Sequence, residues 1–183
     1  MHRHICKIIM QSNYTKPSQL YKMQTDFTTE RLLGNLITEE DNVFIRSLVN
    51  TEGWLQFIGD RNVHSEQDSA AYIRKIINTP DLFYWVIKLN ESKVPIGIIS
   101  FLKRSYLEHF DIGFAFLPQY TGHGYAHEAA GKVLSIVREA RYDPVLATTV
   151  PHNINSIQLL TKLGLHFKEE INHENLILSI YST

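Results

Sequence analysis

Only one cysteine, Cys6, occurs in the 183 residues, so no intrachain disulfide can form and a reducing compartment, the cytoplasm, is the simpler expectation. No apolar run approaches the roughly 20 residues that a membrane-spanning helix needs. The stretch from Met1 to Met10 carries a short apolar patch broken by Lys7 and no small-residue cleavage site, which argues against a secretory signal. Excess charge of one sign is missing as well. The 18 Lys and Arg against 19 Asp and Glu leave a net charge of -1, which excludes a chain-wide nucleic-acid footprint. No internal repeat, low-complexity run or linker breaks the chain. What remains is 44% apolar, enough for one globular core. Residues 1–24, a mixture of Gln, Ser, Asn, Lys and Pro17, read as a flexible extension, with a single domain over 25–183.

The most informative stretch present is Gln119-Tyr120-Thr121-Gly122-His123-Gly124-Tyr125-Ala126. Two glycines form a turn that runs into an amphipathic helix whose apolar stripe is Ala126, Ala129, Ala130, Val133, Leu134, Val137 and Ala140. A helix start exposes unpaired N–H groups at the positive end of the helix dipole, and glycines let the main chain approach an anion closely. The turn is therefore expected to hold phosphate groups. A nucleotide-triphosphate loop needs Lys and then Ser or Thr after its last glycine, where Tyr125 and Ala126 stand here. A dinucleotide fingerprint needs Gly or Ala at the position of His127, and an acidic residue ending the next strand; Asp143 precedes that strand instead.

Gln119, Gly122 and Gly124 fit a third pattern, Gln/Arg-x-x-Gly-x-Gly/Ala between a strand and a helix, which resembles the acyl-CoA pyrophosphate loop of the GNAT N-acetyltransferases. Two further blocks carry the same resemblance, to the RimJ/RimL branch of that family. His152-Asn153-Ile154-Asn155-Ser156, with Lys162-Leu163-Gly164-Leu165-His166-Phe167 after it, is similar to the segment following the cofactor helix. There Asn153 is an N-cap, Ile157, Leu160 and Leu163 form the buried stripe, and Gly164 is a C-cap. Thr29-Glu30-Arg31-Leu32-Leu33, followed by Thr38-Glu39-Glu40-Asp41, is similar to the opening strand and first helix. Gly34-Asn35 stands where the family continues with Leu-Arg, a departure that bears on local strand packing.

Periodicity places strands near Glu30 to Ile37, Phe83 to Leu89, Ile96 to Lys103, His109 to Phe116, Val145 to Val150, Leu165 to Ile171 and Leu176 to Tyr181. Helices are expected from Glu39 to Asn50, from a Ser65 cap to before Pro80, after the glycine turn, and after Asn153. Trp54 to Gly59 is a short aromatic segment between helices. The fold class is mixed α/β. The resemblance implies a GNAT fold, a mostly antiparallel twisted sheet of about seven strands with two splayed central strands.

By that resemblance the cosubstrate is acetyl-CoA. Phe116 and Leu117 would bond its pantetheine arm through the main chain, the segment Gln119, Thr121, Gly122, His123, Gly124, Tyr125 and Ala126 would hold its pyrophosphate, and Asn153 and Ser156 would contact the arm. The family's chemistry is direct attack of an amine on the thioester, which needs a base for the amine proton and an acid for the leaving thiolate. Leu160 occupies the position where many members carry an acidic Tyr, so Ser156 is the nearest substitute. Asp111, on the strand face opposite the phenylalanines, is the candidate base, with Glu108 and His109 as neighbours. Trp54 and Phe57 are candidate acceptor contacts, with Trp85 and Tyr120 as further aromatics. His123 and His127 lie one helical turn apart without a third ligand, so no metal is expected. The partner is an amine, either a protein N-terminus or a small molecule, and a monomer and a homodimer are equally compatible. A non-catalytic acyl-CoA-binding module is the alternative.

Overall fold

Alternation along the strands sorts the core onto two faces of one sheet. The computed structural model describes residues 25–183; Cys6 and the rest of the 1–24 extension lie outside the described residues. The strands are β1 (Phe27–Thr28), β2 (Leu32–Leu36), β3 (Leu82–Leu89), β4 (Pro95–Lys103), β5 (Phe110–Phe116), β6 (Leu146–Thr149), β7 (His166–His173) and β8 (Leu176–Ser182). They form one eight-stranded sheet in the order β1-β2-β3-β4-β5-β6-β8-β7. Every pairing is antiparallel except β5 with β6.

On β3, Phe83, Trp85 and Ile87 face one side and Val86 the other, as a period of two requires. The first side packs against α4 (Tyr125–Glu139) through Ala129, Ala130, Val133, Leu134 and Val137, and against Leu160 of α5 (Ile154–Lys162). The second side packs against α1 (Asn42–Val49), α2 (Glu52–Phe57) and α3 (Glu66–Asn78), through Phe44, Ile45, Leu48, Trp54, Ile73 and Ile76. Burying Val133, Leu134 and Val137 contributes roughly 1.5–3 kcal/mol each. That outweighs the roughly 1 kcal/mol of extra chain entropy lost in fixing each glycine before α4.

Three local details depart from the sequence reading. The sheet has eight strands because Phe27 and Thr28 pair with Leu33 and Gly34. Gly34, which replaces a Leu of the family pattern, is what admits this strand: a Cβ there would sit 2.2 Å from Cζ of Phe27. The first helix begins as a tighter 3-10 turn at Glu39–Asp41, with the Thr38 amide donating to Asp41 Oδ2 at 2.9 Å. The aromatic segment after it is helical, as α2.

β5 and β6 share a single residue pair, Asp111 with Leu146, and part beyond it. This splay opens a gap between the two strands, where the candidate site lies. Among the described residues, no helix is long and apolar enough to cross a membrane.

Candidate active site

On the β6 side of β5, the main chain beyond Asp111 faces the gap between the strands. Leu117 N donates to Ile96 O of β4 at 2.9 Å, so by alternation the N–H and C=O of Phe114 and Phe116 point the other way, into the gap. This corrects one expectation. Leu117 offers no free main chain, because its carbonyl also accepts from Tyr120 N at 2.9 Å. Phe116 and, two residues earlier, Phe114 are the β5 residues near this end whose main chain faces the gap; the sequence reading named Phe116 and not Phe114.

After a 3-10 turn at Pro118–Tyr120, tied by Thr121 Oγ1 donating to Pro118 O at 2.8 Å, the chain enters the glycine turn. Gly122 has φ 79° and Gly124 φ 80°, left-handed values that L side chains avoid. Gly124 is the N-cap of α4 and has no side chain to cap with. The first helical bond is Glu128 N to Gly124 O at 3.0 Å. The amides of residues 122 to 127 therefore donate to no protein group among the described residues. Six consecutive donors at the positive end of a 15-residue helix make a local anion cradle. Gln119 and Thr121 lie exposed on its rim.

The cradle is braced from the opening strand. Arg31 Nε meets Glu128 Oε2 at 2.7 Å, Arg31 Nη1 donates to His123 O at 3.1 Å, and its guanidinium lies 4.7 Å from the Tyr125 ring centre. Thr29 Oγ1 and the Arg31 amide both donate to Glu128 Oε1, at 2.6 and 3.0 Å. In the sequence Thr29 and Arg31 mark only a strand and Glu128 carries no signal of its own, because it lies 99 and 97 residues from these partners.

Across the gap, Asn153 Oδ1 accepts from Ser156 N at 3.1 Å and so caps α5. The cap uses the oxygen and leaves the Nδ2 donors. The Ser156 hydroxyl makes no hydrogen bond among the described residues. Leu160, at the position of the missing Tyr, is buried.

Asp111 sits where the two strands part and is only 1% exposed. Its Oδ2 accepts from Arg104 Nε at 2.6 Å. Its Oδ1 has no hydrogen bond of good geometry among the described residues, although the Thr148 amide and hydroxyl stand near it on β6. Burial raises the Asp111 carboxyl above its ordinary value, and Arg104 and Thr148 pull it only partway back. Arg104 moves upward too, because Asp111 outweighs the cost of burying it. On the same sheet face Tyr84, Ser100 and Gly113 lie in one row across β3, β4 and β5. A Cβ on Gly113 would meet Ser100 Oγ at 2.7 Å, so glycine keeps this floor low. The Tyr84 hydroxyl bonds to Tyr72 of α3, and burial pushes it far above its ordinary value. None of Arg104, Tyr84, Tyr72 or Ser100 was singled out from the sequence; a lone polar residue in the apolar run of β4 was the available signal.

Other candidates divide. Trp54 is 3% exposed and donates through Nε1 to Gly59 O, so its ring supports α2 from behind. Trp85 is a core residue whose Nε1 donates to Thr25 O. Tyr120 packs against the core edge. Phe57 reaches across to His152, ring centres 5.8 Å apart, spanning from α2 to the loop before α5. Glu108 is exposed beside Lys168 and Glu169 in a small surface pocket, and His109 is half-buried. His127 lies 3.4 Å from Lys162 O and His123 beside Tyr125. No three metal-ligating side chains cluster among the described residues.

Residues 31–166 match the family described as Acetyltransferase (GNAT) domain. The N-acetyltransferase YnaD of Bacillus subtilis is 30% identical over 139 residues, covering 75% of this chain and 81% of that protein. A GNAT-family acetyltransferase from Bacillus anthracis has a similar fold, with TM-score 0.74 at 23% identity over 87% of this chain and 98% of that one. So has the ribosomal-protein-S5-alanine acetyltransferase from Vibrio fischeri, with TM-score 0.74 at 18% identity over 87% and 96%.

Proposed function

Since the chain belongs to the GNAT acetyltransferases, a family that uses acetyl-CoA, we propose that it acetylates a primary amine by direct attack within a ternary complex, as one catalytic domain over residues 25–183. The observation that carries this reading is the run of free amides at residues 122 to 127 opening beside the β5–β6 gap. In this reading those amides hold the pyrophosphate, with Gln119 and Thr121 at the rim. The pantetheine arm lies along the free edge of Phe114 and Phe116, and Asn153 Nδ2 donates to it. The thioester carbonyl is then near the apex of the splay.

The amine approaches from the face of α1 to α3, over the low floor at Gly113. Its nitrogen attacks the carbonyl carbon and a tetrahedral intermediate forms. Loss of a proton from nitrogen and rupture of the C–S bond give the amide and CoA thiolate. Asp111 is the base, taking the proton directly or through one water at Oδ1, and its raised pKa suits it to that task. Ser156 or solvent returns a proton to the thiolate.

The acceptor is a protein N-terminal amine or a small amine. The name of the Vibrio fischeri protein and the RimJ/RimL resemblance support testing N-terminal alanine peptides first. The buried Leu160 favours one competing reading, a non-catalytic acyl-CoA-binding module. Thiol release from acetyl-CoA across peptides, polyamines, amino acids and aminoglycosides separates the two. Turnover with any amine is the expected result. Binding of CoA without turnover across the panel favours the module, and failure to bind CoA removes both readings.

A further inference from the structure

Glu128 poses an electrostatic problem for the anion cradle. It sits in the first turn of α4, one residue beyond the last free amide. A carboxylate in a first helical turn is normally drawn to the free N–H groups there, and its charge repels an incoming anion. Its pKa is held below the usual carboxylate range: burial pushes it up, but bonds from Thr29 and Arg31 outweigh that. The negative charge is therefore present throughout the neutral range.

Both carboxylate oxygens are engaged from outside the helix. Oε1 takes the Thr29 hydroxyl and the Arg31 amide, and Oε2 takes the Arg31 guanidinium at 2.7 Å. The same guanidinium pins the His123 carbonyl at 3.1 Å, at the centre of the turn. We infer that Arg31 is a positioning residue for the cofactor: with Thr29 it draws Glu128 away from the free amides of residues 122 to 127 and neutralises it, so that the cradle accepts phosphate. This rests on the reading of the turn as the CoA pyrophosphate site. The opening-strand block and the glycine-turn block are then two halves of one device.

The charges make the test specific, because two substitutions have opposite expected signs. Arg31→Ala frees a carboxylate beside the amides, and CoA affinity measured by calorimetry should fall roughly five- to tenfold. The KM for acetyl-CoA should rise by the same factor, with kcat at saturating acetyl-CoA within about twofold of the parent. Removing the carboxylate as well, in Arg31→Ala/Glu128→Ala, should restore most of the lost affinity, and Glu128→Ala alone should bind CoA no more weakly than the parent. Arg31→Lys, which keeps the charge without the fork, should fall between. A thermal melt of each variant confirms folding.

A loss in Arg31→Ala that the double substitution leaves in place overturns the inference, since Arg31 would then act on the turn or the phosphates directly. Equal CoA binding by Arg31→Ala and the parent overturns it too. If the parent chain itself binds no CoA, the cofactor reading fails first, and that outcome is separate from the other two.

Discussion

The two sides of the β5–β6 gap are built from different materials. On the side proposed for the cofactor, six successive main-chain amides have no protein acceptor among the described residues, supplied by a single turn and held by two left-handed glycines. On the side proposed for the acceptor, side chains come from separate elements: Asp111 of β5 with Arg104 of the loop before it, Tyr84 of β3 with Tyr72 of α3, and Phe57 of α2 against His152. Backbone donors need only a local conformation, so a short motif specifies them. Side chains from separate elements need the whole sheet in register, so no short motif can.

The two carboxylates sharpen the contrast. Glu128, bonded at the helix start, is shifted down; Asp111, buried at the strand junction, is shifted up. Their effects on stability have opposite signs. Glu128 contributes above its ordinary pKa, and that contribution is lost as pH falls through its depressed folded value. Asp111 binds its proton more tightly folded than unfolded, so stability falls as pH rises from its ordinary value through its raised one.

The largest expected effect lies on the acceptor side. Asp111→Asn should lower kcat by about 10²- to 10⁴-fold, the usual span for a general base, and leave the KM for acetyl-CoA unchanged. In the parent, kcat/KM should climb with pH through the raised Asp111 pKa. Arg104→Gln, which removes the larger of the two influences pulling that pKa down and leaves that of Thr148, should move the limb to higher pH. Stopped assays across a pH series read both. Wild-type turnover in Asp111→Asn would reduce Asp111 to a structural partner of Arg104 and leave the proposed base without a residue.

A smaller effect is expected on the cofactor side. Gly124→Ala must hold a Cβ at φ 80°, 3.4 Å from Arg31 Nη2, a strain of about 1–2 kcal/mol. CoA affinity should fall roughly 5- to 30-fold, while kcat at saturation stays close to the parent. A fall in kcat instead would mean that the turn shapes the chemistry as well as the binding, and the division between the two sides would weaken.

The same division governs how much could be read in advance. The order of strands and helices, the glycine turn and the Asn153 cap follow from patterns spanning fewer than about 20 residues, where periodicity and capping rules apply. Strand β1 escaped because Phe27-Thr28 is too short to show alternation; it forms because Gly34 leaves room for the Phe27 ring. Leu117 was misassigned because which edge of β5 it faces depends on its bond to Ile96 of β4. Arg31 with Glu128 could not be paired across 97 positions. Trp54 looked like a pocket residue and is a core residue, since helical phase in so short a segment as α2 is set by packing on α1 and the sheet.

Phe57 gives the finest test of the comparison. Its ring stands 5.8 Å from that of His152, tilted by 42°, a contact worth about 0.5–1.5 kcal/mol for a well-placed aromatic pair and less for one with an exposed member. The contact bridges α2 and the loop that leads into the Asn153 cap, and in the proposed reading it roofs the acceptor's approach to the gap. Phe57→Ala should leave the KM for acetyl-CoA unmoved and change that for the amine about two- to threefold. The direction depends on acceptor size: bulky amines should gain relative to slender ones as the roof opens. Measured across an amine series, a change that ignores acceptor size would remove Phe57 from the approach path. A change in the KM for acetyl-CoA would mean that the roof transmits to Asn153 and the α5 cap, and that backbone side and side-chain side act as one.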